Sequence, residues 1–351
     1  MPTWCWRTGH DVSQHWQSSA PGKLVLAGEY SVLEGGSAVS VAAGVRAKAR
    51  LSPTEGPTCE VSIDHSDENF PFSVEPSGAL VWESAPGASG ALLQAAAELL
   101  QEQGVVLAEL APFRLALCSR EFYRAIDGQQ VKLGLGSSAA VAVALGTCLQ
   151  QALGQAVDVQ FSLDMHHRFQ QQRGSGIDVY TSFHGGVVAL HERARVTPLT
   201  WPAGLQVVPV WTGSAAATPT KLVQLAEFAA SSNKVYSRLM QAMKASSSAI
   251  VASWTAASTP DVLLGIAEFA NNLRALDEAA GIGIWSRMHN DLGQLAASCD
   301  LIYKPSGAGG GDFGCAFGAD AQAVADFTLQ AESAGYSTPA FDLQAMGWLA
   351  D

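Results

Sequence analysis

The sequence has no block of lysine or arginine, and this absence limits the partners we expect. Of its 351 residues, 20 are Lys or Arg and 32 are Asp or Glu, so the formal net charge is -12. A nucleic-acid-binding protein needs a concentrated cationic face to displace counterions from phosphates, so we expect no nucleic-acid partner. An acidic chain can still bind a phosphorylated small molecule where backbone N–H groups and a few cations converge.

Motifs for disulfides, secretion and membrane insertion are also missing. The six cysteines stand singly, without a CxxC pair or a zinc-like spacing, which predicts reduced thiols. The first residues lack the cationic start and the apolar run of a signal peptide. No stretch is apolar for long enough to cross a bilayer. We expect a cytoplasmic protein without a membrane partner, and the sequence leaves a monomer and a homodimer open.

The chain has the composition of a globular protein, with 48% hydrophobic and 8% aromatic residues, and its length suits two cores. Residues 1–17 are expected to form a loose N-terminal extension. A boundary is expected near residues 194–204, where two prolines and a glycine interrupt the pattern. We therefore predict an α+β protein with an N-terminal domain over 18–195, a C-terminal domain over 196–351, and a cleft between them.

Periodicity and turn signals predict the main elements. Strands are expected at 23–27, 37–51, 113–119, 185–190, 205–213 and 314–318, with short strands and turns between 52 and 90. Helices are expected at 91–104, 137–154, 159–173, 221–257, 261–280, 286–298 and 320–333.

A glycine loop, KLGLGSSAA at residues 132–140, is the strongest local signal of chemistry. Its GLGSSA part matches the pattern GxGxxA, so a dinucleotide-binding enzyme is one alternative. That fingerprint requires a strand running directly into the first glycine. Here the strand is expected to end near Ser119, and a dozen mainly polar residues intervene, so a loop that holds phosphates is the better interpretation.

The residue types of the loop suit a polyphosphate. Gly134 and Gly136 allow close approach of the backbone, and the following helix offers free N–H groups and the positive end of its dipole. Ser137 and Ser138 supply hydroxyls for phosphate or Mg²⁺, and Lys132 adds a cation. The simpler alternative is that Ser137 only caps the helix.

Three ordered segments carry a resemblance to a known family. APGKLVLAGEYSVLEGG (20–36), KLGLGSSAA (132–140) and KPSGAGGGDFGCAFG (304–318) resemble the three motifs of the GHMP kinase superfamily. The resemblance runs from about residue 20 to 351. It implies a two-domain fold, with an N-terminal domain of the ribosomal S5 domain 2-like type and a ferredoxin-like C-terminal domain. It also implies ATP and Mg²⁺ as cofactors.

Within the superfamily the sequence is most similar to the phosphomevalonate kinases. The first motif reads Gly-Glu-Tyr at 28–30, where mevalonate kinases typically read GEH. The segments GSGIDVYTSFHGG (174–186) and WTGSAAATPTKLV (211–223) are also similar to phosphomevalonate kinase segments. Mevalonate kinases place a magnesium-binding Glu eleven residues before the catalytic Asp, and here that position is His167. The expected reaction is transfer of the γ-phosphoryl group of ATP to 5-phosphomevalonate.

The resemblance implies roles for particular residues. The candidate catalytic residues are Asp178, with an Asx turn as the structural alternative, and Lys23, with a surface lysine as the alternative. The expected ATP-binding residues are Lys132, Gly134, Leu135, Gly136, Ser137, Ser138 and Ala139, and the candidate Mg²⁺ ligands are Ser137 and Ser138. The expected substrate-binding residues are Lys23, Tyr30, Ser175, Ser214, Ser306, Gly307, Ala308 and Gly309.

Other interpretations stay open at this point. Asp312 would repel a nearby phosphate, so we predict a structural role for it. His166 and His167 are not expected to bind a metal together, because adjacent helical residues point about 100° apart. The alternative functions are mevalonate kinase, another GHMP small-molecule kinase, and a catalytically silent family member that binds ATP or another ligand.

Overall fold

The computed structural model describes residues 15–63, 68–85, 87–110, 112–126, 128–171, 174–191, 195–216 and 218–350. The predicted N-terminal extension lies outside these ranges except for its last three residues, and Trp16 already opens the first strand. Within the ranges just given, no helix combines the length and the apolar composition that crossing a membrane requires.

The strands belong to one large sheet, one small sheet and a hairpin. In chain order they are β1 (Trp16–Ala27), β2 (Ala38–Pro53), β3 (Cys59–Ile63), β4 (Glu68–Val74), β5 (Leu80–Trp82), β6 (Phe113–Cys118), β7 (Tyr123–Ile126), β8 (Gln129–Lys132), β9 (Val187–Leu190), β10 (Val196–Leu199), β11 (Gln206–Trp211), β12 (Ile302–Pro305), β13 (Phe313–Gly318) and β14 (Leu349–Ala350). The large sheet runs β10-β9-β2-β6-β3-β4-β5, and β1 pairs with β2 and β14.

The helices divide between the two sheets. In chain order they are α1 (Ala88–Glu102), α2 (Ser137–Ala152), α3 (Val159–Phe169), α4 (Ile177–His184), α5 (Thr218–Ser231), α6 (Asn233–Thr255), α7 (Thr259–Ala280), α8 (Arg287–Ser298) and α9 (Ala321–Ser333). Helix α2 lies against β1 and β2 and is buried over most of its length. Its many alanines let its backbone approach the sheet closely, and a helix that is apolar all round is expected at the centre of a core.

The second part of the chain is built on a small antiparallel sheet. Its order is β11-β13-β12, with α5 to α8 inserted between β11 and β12 and α9 following β13. An isolated bridge joins Trp211 to Ser337 and lengthens the sheet at its β11 edge. The chain then returns to the large sheet, where β14 pairs with β1. Arg46 holds this returning segment by donating to the carbonyl oxygens of Met346 and Gly347.

Most of the predicted elements are present; α4, β10, β12 and β14 were not predicted, and three other features differ. The predicted helix over 221–257 is two helices, α5 and α6. The polar residues before the glycine loop form the hairpin β7-β8. Its two strands pair with each other and not with the large sheet. Strand β10 still pairs with β9, so the domain boundary that we propose lies at residues 200–205, a few residues after the predicted one.

Candidate active site

An ion pair between β1 and α4 marks the centre of the site. Lys23 Nζ lies 3.5 Å from Asp178 Oδ1. The lysine side chain is 12% exposed and the aspartate side chain 35%, so the pair is sheltered but reachable. Asp178 occupies the first turn of α4, where the positive end of the helix dipole favours a carboxylate, and the Asx-turn alternative is wrong. The surface-lysine alternative for Lys23 is wrong as well.

The glycine loop lies directly beside this pair. The backbone N–H of Lys23 donates to the carbonyl oxygen of Leu135 at 2.9 Å. A Cβ atom at Gly136 would lie 2.9 Å from Lys23 Cγ, and the φ angle of 75° there favours glycine. The missing side chain at Gly136 therefore leaves the space in which the lysine crosses the loop toward Asp178.

Helix α2 begins at the loop with its first N–H groups free. Gly136 is the N-cap residue, and no side chain in the described part of the chain caps the helix. The alternative that Ser137 only caps the helix is therefore wrong. The N–H groups of Ser137, Ser138 and Ala139 belong to the first turn, where a helix has no internal acceptors. These donors and the helix dipole form a site suited to phosphate oxygens.

Asp312 joins the glycine loop to the third motif. A Cβ atom at Gly134 would lie 2.2 Å from Asp312 Cγ, so the carboxyl group fills the space that glycine leaves. Asp312 Oδ1 accepts from the N–H of Ala216 at 3.0 Å, and its own backbone N–H donates to the carbonyl oxygen of Ser214 at 2.7 Å. The predicted structural role of Asp312 is consistent with these bonds, which connect three separate segments of the chain.

The charges around the loop act on one another. Desolvation raises the pKa of Asp312, whereas the Ala216 N–H and the charges of Lys23 and Lys132 lower it. Desolvation lowers the pKa of Lys132, although the side chain is at the surface; Asp312 raises that pKa and Lys23 lowers it. Two lysines therefore lie near the glycine loop together with the carboxylates of Asp312 and Asp178, so cations converge there although the chain as a whole is acidic.

Ser138 has a partner that sequence reasoning did not identify. Its Oγ lies 3.2 Å from His166 Nε2, on helix α3. Desolvation lowers the pKa of His166 to about 4, against the raising effect of Asp178. Sequence reasoning considered His166 only as a metal ligand, because a contact between residues 28 positions apart leaves no local pattern.

The donors near the loop suit a magnesium ion that is bound mainly by phosphate oxygens and water. Among the residues with described placement, no three His, Cys, Asp or Glu side chains converge on one point. Mg²⁺ usually keeps several waters and takes only one or two protein ligands beside substrate phosphates. The hydroxyls of Ser137 and Ser138 are the protein groups that would complete such a shell.

The first and third motifs are joined by buried polar contacts, and two predicted substrate ligands take part in them. Tyr30 Oη donates to the carbonyl oxygen of Ala308 at 2.5 Å, and Ser306 Oγ donates to that of Val25 at 2.9 Å. Each hydroxyl has a single proton, which is already donated within the protein. In this structure Tyr30 and Ser306 therefore hold the third motif against the first, and their contact with a substrate stays a prediction.

A buried ion pair completes this connection. Lys304 Nζ contacts Glu29 Oε1, and the two side chains are 0% and 1% exposed. The lysine also lies 6.0 Å from the ring centroid of Phe269. Glu29 Oε2 has no hydrogen-bond partner within the described part of the chain. Sequence analysis identified Glu29 only as part of the first motif, because a single sequence does not show which distant lysine pairs with it.

Lys221 and His289 contact the glycines of the third motif and the backbone beside them. Lys221 Nζ donates to the carbonyl oxygens of Ile282 and Gly283, both at 2.8 Å, and would lie 2.6 Å from a Cβ at Gly310. The ring of His289, which is completely buried, has Nε2 3.1 Å from the carbonyl oxygen of Gly311. These residues were not predicted, because their partners are backbone groups of distant loops.

The other predicted substrate residues lie on the segments just described. Ser175 precedes α4, and its hydroxyl accepts from the N–H of Ile177 at 3.4 Å. Ser214 is half-buried in the loop that Asp312 fixes. Gly307 and Gly309, at φ 75° and 66°, flank Ala308 in the third motif. Their contact with a substrate stays a prediction.

Comparison with known proteins supports the resemblance that the motifs indicated. The family described as GHMP kinases N terminal domain matches residues 91–186, which include the glycine loop and Asp178. The resemblance to the GHMP kinase superfamily is thereby confirmed. The structure agrees with the two-domain GHMP kinase fold that this resemblance implied.

Individual relatives match most of the chain. A phosphomevalonate kinase of Streptomyces sp. (strain CL190) is 28% identical over 349 residues, covering 88% of this chain and 91% of the relative. A mevalonate kinase of Bos taurus is 25% identical over 335 residues, covering 84% of each chain. The structure of Streptococcus pneumoniae phosphomevalonate kinase with phosphomevalonate and AMPPNP has a TM-score of 0.74 and 18% identity, covering 93% of this chain and 99% of that one. At that identity it shows the fold alone.

Proposed function

We propose that the chain is an ATP-dependent phosphomevalonate kinase, which converts ATP and 5-phosphomevalonate into ADP and 5-diphosphomevalonate. The observation that carries the kinase activity is the Lys23–Asp178 pair, 3.5 Å apart, beside the open first turn of α2. The choice of acceptor is supported by the similarity to the Streptomyces phosphomevalonate kinase over most of both chains.

The arrangement suits direct transfer of a phosphoryl group. An oxygen of the acceptor phosphate forms a bond to the γ-phosphorus, and the bond from that phosphorus to the β-phosphate bridging oxygen breaks, so ADP leaves with the electron pair. Because the second pKa of a phosphate monoester is about 6, the attacking oxygen carries no proton in most molecules at neutral pH. Catalysis then depends mainly on positioning and on neutralising charge.

Each residue of the pair has a separate task in this reaction. Lys23 lies across Gly136, where its ammonium group can neutralise charge on the equatorial oxygens of the transferring phosphoryl group. Asp178 holds that ammonium group in place and orients the acceptor. The free N–H groups of α2 bind the nucleotide phosphates. When bound, Mg²⁺ would neutralise phosphate charge, with Ser137 and Ser138 as its protein ligands.

Turnover with different acceptors tests the proposal. Purified protein with Mg-ATP is expected to release ADP with 5-phosphomevalonate and to leave mevalonate and galactose essentially unchanged. ADP release with mevalonate instead would favour mevalonate kinase, which the similarity to the Bos taurus enzyme makes the second candidate. No turnover with any acceptor, despite ATP binding, would indicate a catalytically silent member.

Replacement of the pair tests the assigned mechanism. Asp178→Asn is expected to lower kcat about 100-fold or more while ATP affinity stays within a few-fold, because the carboxylate acts on the reacting groups. Lys23→Met is expected to lower kcat in the same way. A Lys23→Met effect confined to KM would instead mean that the lysine binds substrate and transition state equally.

A further inference from the structure

A buried histidine lies under the glycine loop, outside the residues assigned so far to the reaction. His166 is 3% exposed and is held by helix α3, which packs against α2. Its Nε2 atom lies 3.2 Å from the Oγ atom of Ser138, the second residue of α2. The ring thus contacts the protein side of a hydroxyl whose neighbouring backbone N–H groups are free for phosphate.

The surroundings of the ring indicate which nitrogen carries its proton. His166 Nδ1 is buried and has no hydrogen-bond partner in the part of the chain that the structure describes. Buried N–H groups without an acceptor are rarer in proteins than unpaired acceptors. The proton is therefore best placed on Nε2, from which it is donated to Ser138 Oγ.

This bond determines where the serine hydroxyl can point. A hydroxyl has one proton and two acceptor sites. With one acceptor site occupied by His166, the proton of Ser138 is directed away from α3 and toward the glycine loop. A hydroxyl fixed in this way loses less conformational freedom when it binds a ligand.

We propose that His166 is a positioning residue that orients the Ser138 hydroxyl, so that the hydroxyl donates its proton to a phosphate oxygen of the nucleotide. The inference rests on the proposed function only in taking a nucleotide as the ligand of the glycine loop. It gives Ser138 the role of a phosphate donor, with one lone pair left for a cation. His166 itself touches neither nucleotide nor acceptor.

Calorimetric binding of AMPPNP without magnesium tests this role apart from catalysis and from the metal. Ser138→Ala is expected to weaken binding about tenfold, since hydrogen bonds to charged groups are among the stronger ones. His166→Leu removes the donor and is expected to weaken binding several-fold. His166→Gln places an amide N–H near the position of Nε2 and is expected to recover affinity to within about threefold of wild type.

The double variant Ser138→Ala/His166→Leu separates a positioning role from a general structural one. If His166 acts only through Ser138, the double variant binds no more weakly than Ser138→Ala alone. Additive losses, or wild-type affinity in His166→Leu, would overturn the proposal. His167→Gln, on the same helix, is the matched control and is expected to bind within about twofold of wild type.

Nitrogen NMR of the ligand-free protein with ¹⁵N-labelled histidine provides a second readout. The resonances that disappear in His166→Gln are expected to show a ring protonated at Nε2. A ring protonated at Nδ1 would make His166 an acceptor of the serine proton and would overturn the proposal. If the protein binds AMPPNP but does not turn over 5-phosphomevalonate, only the proposed acceptor is overturned.

Discussion

The buried pair of Glu29 and Lys304 provides the most direct test of how the first and third motifs are held together. In Lys304→Met the Glu29 carboxylate would lose its cation, although its side chain is only 1% exposed and its Oε2 atom already lacks a partner. Removing one member of a buried ion pair typically costs about 3–5 kcal/mol, because the remaining charge is left desolvated. We expect a loss in the upper half of this range.

Urea unfolding of two single variants and the double variant measures the effect. With an m value of about 3 kcal/mol/M, a loss of 4 kcal/mol lowers the unfolding midpoint by more than 1 M. Glu29→Gln/Lys304→Met removes both charges and is expected to lie within about 1–2 kcal/mol of wild type, since neutral replacements of buried pairs are often tolerated. Lys234→Met, at an exposed position of α6, is the control and should change stability by less than about 0.5 kcal/mol.

Two results would contradict this reasoning. If Lys304→Met loses less than 1 kcal/mol, or if the double variant is as unstable as the single one, the pair does not hold the two motifs together. Acceptor binding is a second readout, because Lys304 lies two residues before Ser306, the first of the third-motif residues that are expected to bind the acceptor. We expect the KM for the acceptor to rise in Lys304→Met more than the KM for ATP.

Three further predictions follow from other contacts. Gly134→Ala should reduce nucleotide affinity at least tenfold in calorimetry, because its Cβ would meet Asp312. Gly128→Ala is the control, since the φ angle is 79° there and 80° at Gly134. A Cβ at Gly128 would have no atom within 4 Å, so this variant should bind the nucleotide normally. Burial lowers the pKa of His289 to about 4, below the usual 6.5, so its contribution to stability is complete above pH 6.5 and is lost as the pH falls toward 4. By pH 5 that loss is about 2 kcal/mol, and urea midpoints of His289→Gln should fall correspondingly less between pH 7.5 and 5 than those of wild type. Tyr30→Phe leaves a carbonyl of the third motif unpaired and should cost about 1–3 kcal/mol in urea unfolding; an unchanged midpoint would contradict the assigned bond.

Local patterns in the sequence were sufficient for most of the secondary structure and for the phosphate loop. The glycines before an alanine-rich helix predicted the loop, and α2 does begin there with its first N–H groups free. Such predictions succeed because turn chemistry and periodicity act over a few residues. Hairpin β7-β8 and helix α4 were missed, because each of these elements has too few residues for a periodic pattern to develop.

The tertiary structure decided which side chains meet. Ser138 and His166 lie 28 positions apart, and Glu29 and Lys304 lie 275 apart, so neither contact has a local signature. Tyr30 was expected to bind substrate, yet its proton is donated to the third motif. The sequence by itself determined the loop, the family and the Lys23 and Asp178 candidates, whereas only the fold assigned partners to the charges, because long-range pairing depends on how the sheets bring distant segments together.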